Sequence, residues 1–208
     1  MRGLRHFLPL MVGGIVLHGG LCAQDTGAAP ATNLRIYQLL ATSLSDSLAT
    51  GIPPGDSARV SVRISPADAA WYLQDAVERP FRQRKCVICA GDSGRYSAEF
   101  GAVSMSVRYT NVRKEGFFGS RVLDRSIVLA ARMRIVDRMK GTVLTSGERQ
   151  AEFADTVAVS GIEGLEQASI PATRGSVPPE DFLSGIAEPL VIVGAIAVAI
   201  FLLFTVRS

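Results

Sequence analysis

IVLAARMRIVDRMKGTVLTS, residues 127–146, decides the fold. Ile127, Leu129, Ala131, Met133 and Ile135 fall on one side of a two-residue period, and Ser126, Val128, Ala130, Arg132 and Arg134 fall on the other. That alternation predicts a strand with one buried face and one wet face. Asp137-Arg138-Met139-Lys140-Gly141 then reads as a tight turn in which Gly141 is free to take positive φ, and Thr142 to Ser146 begin the return strand. A hairpin of this kind makes its two strands antiparallel. Arg132 and Arg134 are expected on the solvated side of the sheet, not in an anion site.

Upstream of the hairpin the two-residue period continues. Tyr96, Ala98 and Phe100 hold one phase and Val103, Met105, Val107 and Tyr109 the other, with the flip at Gly101; a β-bulge or a bend is expected there. The loop Lys114 to Gly119 places Phe117 and Phe118 between two glycines, where they either pack back or are displayed to a partner. Arg59 to Ile64 alternates as a further strand. Ser65-Pro66-Ala67-Asp68 offers a capping Ser, a Pro at the first helical position and an acid in the first turn. The helix it opens has the stripe Ala70, Leu73, Val77 and Phe81, with Pro80 expected to kink or end it. Trp71 and Tyr72 are neighbours and cannot both face a core, which leaves Trp71 as a candidate partner contact. Before these, Asn33 is expected to cap a helix whose stripe is Leu34, Tyr37, Leu40, Leu44 and Leu48, with Thr42, Ser43, Ser45 and Ser47 on the water side. Downstream, Asp155 is expected to cap a last helix through Val157, Ile162 and Leu165. The order of elements implies an α+β domain over 33–167, a mostly antiparallel sheet with helices on one face.

The two ends give the chain an address. Arg2 and Arg5, the apolar run Phe7 to Leu17 and the small Ala23 predict a signal peptide over 1–23, with a flexible leader at 24–32 after it. Cys22 raises a lipoprotein reading, but Leu21 stands where a small residue is expected before a lipidated Cys. Residues 168–188 contain Pro178-Pro179 and read as a tether, with a short helix starting near Glu180 and Asp181 and set apart by Pro189 from the last apolar run. That run, Leu190 to Val206, carries no charge; at about 1.5 Å per residue it gives roughly 26 Å of helix, enough for a single short crossing over 189–206. Residues 207–208 then form a cytoplasmic end, with Arg207 inside. The expected location is the bacterial inner membrane, single-pass, with the main domain periplasmic.

Charge and histidine narrow the function. The formal net charge is +3, and setting aside Arg2, Arg5 and Arg207 brings it to zero, so no nucleic-acid partner is expected. His6 and His18 are the only histidines and both lie in the signal segment. Serine and cysteine nucleophiles activated by His, and His-ligated metals, thereby drop out, and no catalytic residue, cofactor or metal is expected. Cys86-Val87-Ile88-Cys89 is the one motif with chemical potential. It can be a disulfide, a pair of thiols or a redox centre; a four-Cys zinc site lacks its second pair, and the Gly-rich sequel 90–94 is a turn where a thioredoxin-type site needs a helix start.

ARMRIVDRMKGTVLTSG at 131–147, preceded by an amphipathic helix, a strand and a second helix, resembles the envelope domains of the curli-secretion, flagellar outer-membrane lipoprotein and TolB N-terminal type. The resemblance covers about residues 34–166. It implies an assembly or binding module without catalytic residues. Those families often carry a lipidated N-terminal Cys and work at the outer membrane, whereas this chain ends in an apolar run. The expectation is a non-enzymatic, membrane-anchored envelope module that binds a protein partner in export, motility or cell-wall machinery. The alternative is a thiol-active envelope protein using Cys86 and Cys89.

Overall fold

The structure is a computed structural model that describes residues 29–53, 58–115, 119–179 and 182–205. The expected signal peptide, Cys22, Phe117, Phe118 and the cytoplasmic end lie outside the described residues. The chain divides into two units, 1–176 and 177–208.

The first unit is built on helices α1 (Asn33–Ala49) and α2 (Ala67–Gln83) and strands β1 (Arg59–Ser65), β2 (Val87–Ile88), β3 (Tyr96–Lys114), β4 (Arg121–Asp137) and β5 (Thr142–Ala158). A short helix α3 (Ile162–Leu165) comes after a single 3-10 turn, and another 3-10 turn covers Pro171–Thr173. The strands lie in the order β2-β1-β3-β4-β5. This is the expected α+β layering, with one correction: β1 runs parallel to both β2 and β3, so the sheet is mixed. The cause is α2, which carries the chain back over the sheet between β1 and its neighbours. The three long strands pair antiparallel, as the hairpin requires.

One face of the sheet is covered. Ile127, Leu129, Ala131, Met133 and Ile135 are all buried, together with Tyr96, Ala98 and Phe100 of β3. Ile36, Tyr37, Leu40, Leu44 and Leu48 of α1 and Leu73, Val77 and Phe81 of α2 close the core from above. The phase flip in β3 is a bulge, but at Val103 rather than Gly101: Ala102 pairs with Ala131 and Ser104 with Ala130. Val103 is therefore the extra residue and is exposed, not inward. A second irregularity lies between Thr110 and Arg113, where Asn111 takes positive φ and its side chain donates to Asp124 at 3.0 Å.

The two helices differ from expectation in four places. Thr32, not Asn33, caps α1, its hydroxyl accepting from the Arg35 amide at 3.2 Å. Ser45 is fully buried instead of solvated. Ser65 closes β1 and caps nothing; Pro66 precedes α2 through a cis peptide bond. Pro80 does not end α2, since the helix runs on to Gln83. Its missing amide leaves the Ala76 carbonyl without its usual partner, and the Thr42 hydroxyl of α1 donates to that carbonyl at 3.1 Å. Thr42 is thus a bridge between the helices.

The expected C-terminal helix from Asp155 is replaced by strand. β5 continues to Ala158, and helix begins only after Val159–Gly161. Ile170 and Thr173 are buried, so the first part of the expected 168–188 tether is packed on the domain. The second unit contains α4 (Phe182–Thr205), unbroken at Pro189. Its described side chains, Val191 to Leu203 and Thr205, are all exposed. Among the described residues no helix is long and apolar enough to cross a membrane.

Candidate functional site

Among the described residues no helix of the first unit covers the sheet's second face, and only its turn end, where Ser61 and Ser97 are buried beside Gly94 and Arg138, is closed over. Strand register sets Arg63, Glu99, Arg134 and Ser146 in one row across four strands, and Ser65, Gly101, Arg132 and Glu148 in the next. These rows floor a cleft of about 650 Å³. Gly101 leaves the floor open beside two guanidinium groups; a Cβ there would meet only the Arg132 carbonyl oxygen, at 3.6 Å. Arg63 pairs with Asp92 at 3.0 Å and approaches Glu99 at 3.9 Å, and Arg132 reaches Glu148 at 3.5 Å. Arg134 makes no ion pair among the described residues. Its planar fork of donors suits a carboxylate or another planar acceptor.

The turn end of this face is held by a lattice of arginines and carboxylates. Arg138 donates to Asp92 at 2.7 Å and to Ser97 at 3.2 Å, and also to the Asp92 carbonyl. These bonds, chiefly that from Arg138, hold the Asp92 carboxyl below the usual carboxylate range. Arg95 donates to Asp137 at 3.0 Å and lowers it in the same way. Asp137 also accepts from the amides of Met139 and Lys140, which closes the β4–β5 turn and leaves Gly141 at φ +65 as expected.

At the opposite end lies a buried polar node. Arg125 is 1% exposed and donates to Asp155 at 2.8 and 2.5 Å, to the Asn33 side chain at 2.7 Å and to the Ala31 carbonyl at 2.9 Å. Asn33 in turn donates to the Tyr109 hydroxyl and to the Thr173 carbonyl. Burial pushes the Tyr109 hydroxyl up. The guanidinium is satisfied from within, so the node fixes the entry and exit of the chain and leaves nothing for a ligand. Asp155, expected as a helix cap, is spent here. A signal for this node was present: carrying the inward phase of Ile127 two residues back lands on Arg125.

The other candidates are scattered. Trp71 is 64% exposed on α2 and meets Tyr72 edge-on at 5.2 Å. It stands on the helix layer, so the fold does not bring it to the arginine cleft. Cys86 and Cys89 flank β2 at the edge of the sheet, both half-buried and not joined. Burial pushes the Cys86 thiol up. The Cys86 amide donates to the Phe81 carbonyl at the end of α2, so this thiol sits at a helix C-terminus, where the dipole disfavours a thiolate. The Cys89 sulfur accepts from Arg59 at 3.4 Å. No group of three or more His, Cys, Asp or Glu side chains able to hold a metal occurs among the described residues.

No family model matches the chain, and no characterised protein matches it in sequence. Its structure is similar to that of lipoprotein GNA1162 from Neisseria meningitidis, at 13% identity and a TM-score of 0.34, over 51% of this chain and 90% of that one. It is also similar to a minor lipoprotein from Acinetobacter baumannii, at 11% identity and a TM-score of 0.31, over 51% of this chain and 69% of that one. Both are bacterial lipoproteins. At these scores the likeness carries no argument about this chain's own chemistry.

Proposed function

We propose that this chain is a non-enzymatic module of the bacterial cell envelope, anchored by its C-terminal helix, that binds a protein partner through the open face of its sheet. The cleft over Gly101 carries this reading: Arg134 stands there with no ion pair among the described residues, beside Arg132 on the same strand and across Glu99 from Arg63. An acidic loop or strand of a partner matches that chemistry, and the work of the complex is assembly in export, motility or cell-wall machinery. The anchor is supported by α4, whose side chains from Val191 to Leu203 are apolar almost throughout and exposed; helices of that kind are stable where lipid surrounds them. The main domain is then periplasmic and the membrane the inner one.

Two measurements test it on the full chain in membranes. A photo-crosslinking residue in place of Arg134 is expected to capture a protein that one in place of Arg79, on the helix layer, does not. Capture from position 79 or 71 and none from 134 assigns the binding surface to the helices and overturns the proposal. A reporter fused after Ser208 is expected to behave as cytoplasmic and one inserted near Gly116 as exported; the reverse pattern removes the location.

A further inference from the structure

β5 is the terminal strand of the sheet, and its outer backbone edge pairs with nothing among the described residues. An edge this long is a template for strand addition, and proteins usually guard such edges with charge. β5 carries Glu148, Arg149, Glu152 and Asp155. In a symmetric antiparallel pairing of two copies, with the two-fold axis normal to the sheet, the axis passes through one residue, and residues equally far on either side stand opposite each other. Each choice of that residue can then be scored by charge. An axis at Glu148, Arg149 or Glu152 sets that residue against its own copy. An axis at Gln150 sets Glu148 against Glu152 twice. Like charges directly opposite are destabilising. An axis at Ala151 does neither.

With Ala151 on the axis, Arg149 lies opposite Phe153, Gln150 opposite Glu152, Glu148 opposite Ala154, Gly147 opposite Asp155 and Thr145 opposite Val157. Phe153 is 36% exposed in the single chain, on the core side beside Ile127, and a guanidinium from the second copy over its ring is a favourable contact. Gln150 donates to Glu152 across the join. Axes farther out, at Gly147 or Phe153, also avoid like charges, but they pair a shorter stretch. The one at Gly147 also runs into the irregularity of β5 at Leu144, which has no partner opposite between Ile135 and Val136. The charges that block the neighbouring registers therefore leave the Ala151-centred one open, which is how a guarded edge still admits one partner. We propose that a second copy of this chain adds to β5 in this register, joining two five-stranded sheets into one continuous sheet.

The test uses the full chain in detergent with Cys22, Cys86 and Cys89 changed to Ser. Opposed residues in an antiparallel pair have Cα atoms about 4.5 to 5.5 Å apart, within disulfide reach, whereas residues two positions out of register exceed about 7 Å. Mild oxidation is expected to link Ala151→Cys to itself, with at least about tenfold less product from Gln150→Cys or Arg149→Cys. In the same background, Ala154→Glu places a carboxylate opposite Glu148 twice and is expected to shift the chain to monomer in light scattering, while Ala154→Lys keeps the dimer. A monomer in all variants, a stronger crosslink at 149 or 150 than at 151, or equal effects of Glu and Lys at 154 overturns the proposal, as does capture of a different protein at Ala151.

Discussion

β4 and β5 have the same length, 17 residues, and share one turn, yet they sit in opposite environments. β4 buries every second side chain from Leu123 to Asp137, whereas β5 buries Val157 alone. Position makes the difference. β4 is flanked by strands on both sides and covered by the helix layer, while β5 ends the sheet. The inward side chains of the central strand hold the core, whereas the edge strand leaves its outer backbone unpaired among the described residues. Substitutions of inward side chains should therefore cost more in β4 than in β5.

The largest effect is expected where a buried charge that holds several partners is removed. Arg125→Ala would leave the buried Asn33 side chain and the Ala31 carbonyl without their donor and Asp155, 27% exposed, without its guanidinium, and should destabilise by about 3 kcal/mol or more. Leu129→Ala, at a fully buried position, comes next with about 2 to 5 kcal/mol. Phe153→Ala, across the sheet on β5, should cost clearly less because its ring is already part-exposed in the single chain. Thermal or urea unfolding of the full chain in detergent ranks the three. An equal loss at 129 and 153 would break the contrast between the strands.

Gly141 tests the joint between them. Its φ of +65 lies in the left-handed region, and an added Cβ would meet nothing within 4 Å. The cost of a side chain is therefore intrinsic backbone strain and not a clash. Gly141→Val should lose about 1 to 3 kcal/mol and Gly141→Asn less, because Asn tolerates that region.

Legibility in the sequence divides along the same line. The β4 alternation, the turn at Asp137 to Gly141 and the wet face with Arg132 and Arg134 were all legible, because a central strand must segregate its side chains. β5 was legible only to Ser146. An edge strand exposed on both faces has no reason to alternate, so ERQAEFADTVA carried no period and Asp155 passed for a helix cap. The parallel placement of β1 depends on where α2 returns the chain, which local spacing does not encode. The cleft was half visible: the arginines were assigned to the right face, but their alignment with Arg63 and Gly101 comes from the register between strands.

Acid should act on the turn end of the hairpin through Asp137. Arg95 and the Met139 and Lys140 amides favour its charged form, so its folded pKa lies below its unfolded one. The stabilisation it gives is complete above the unfolded value, about 3.9, and is lost as pH falls through the folded one. Asp137→Asn should thus melt lower than the parent by a constant margin between about pH 5 and 8, and the margin should shrink below about pH 4. A margin that grows in acid would mean that Asp137 is protonated in the folded state.

The smallest effect is expected at Arg132, on the open face of β4. Its side chain is 74% exposed, and its ion pair to Glu148 at 3.5 Å is open to water on both sides. Exposed pairs of this kind contribute little, since solvent and salt screen them, so Arg132→Ala should change the unfolding midpoint by less than about 0.5 kcal/mol equivalent. Capture of a partner from the Arg134 position should fall in the same variant, because Arg132 helps line the cleft. Stability and binding would then separate within one strand, the inward residues serving the first and the outward arginines the second. A large loss of stability at Arg132 would instead place this face against a covering layer and remove the open surface on which partner binding rests.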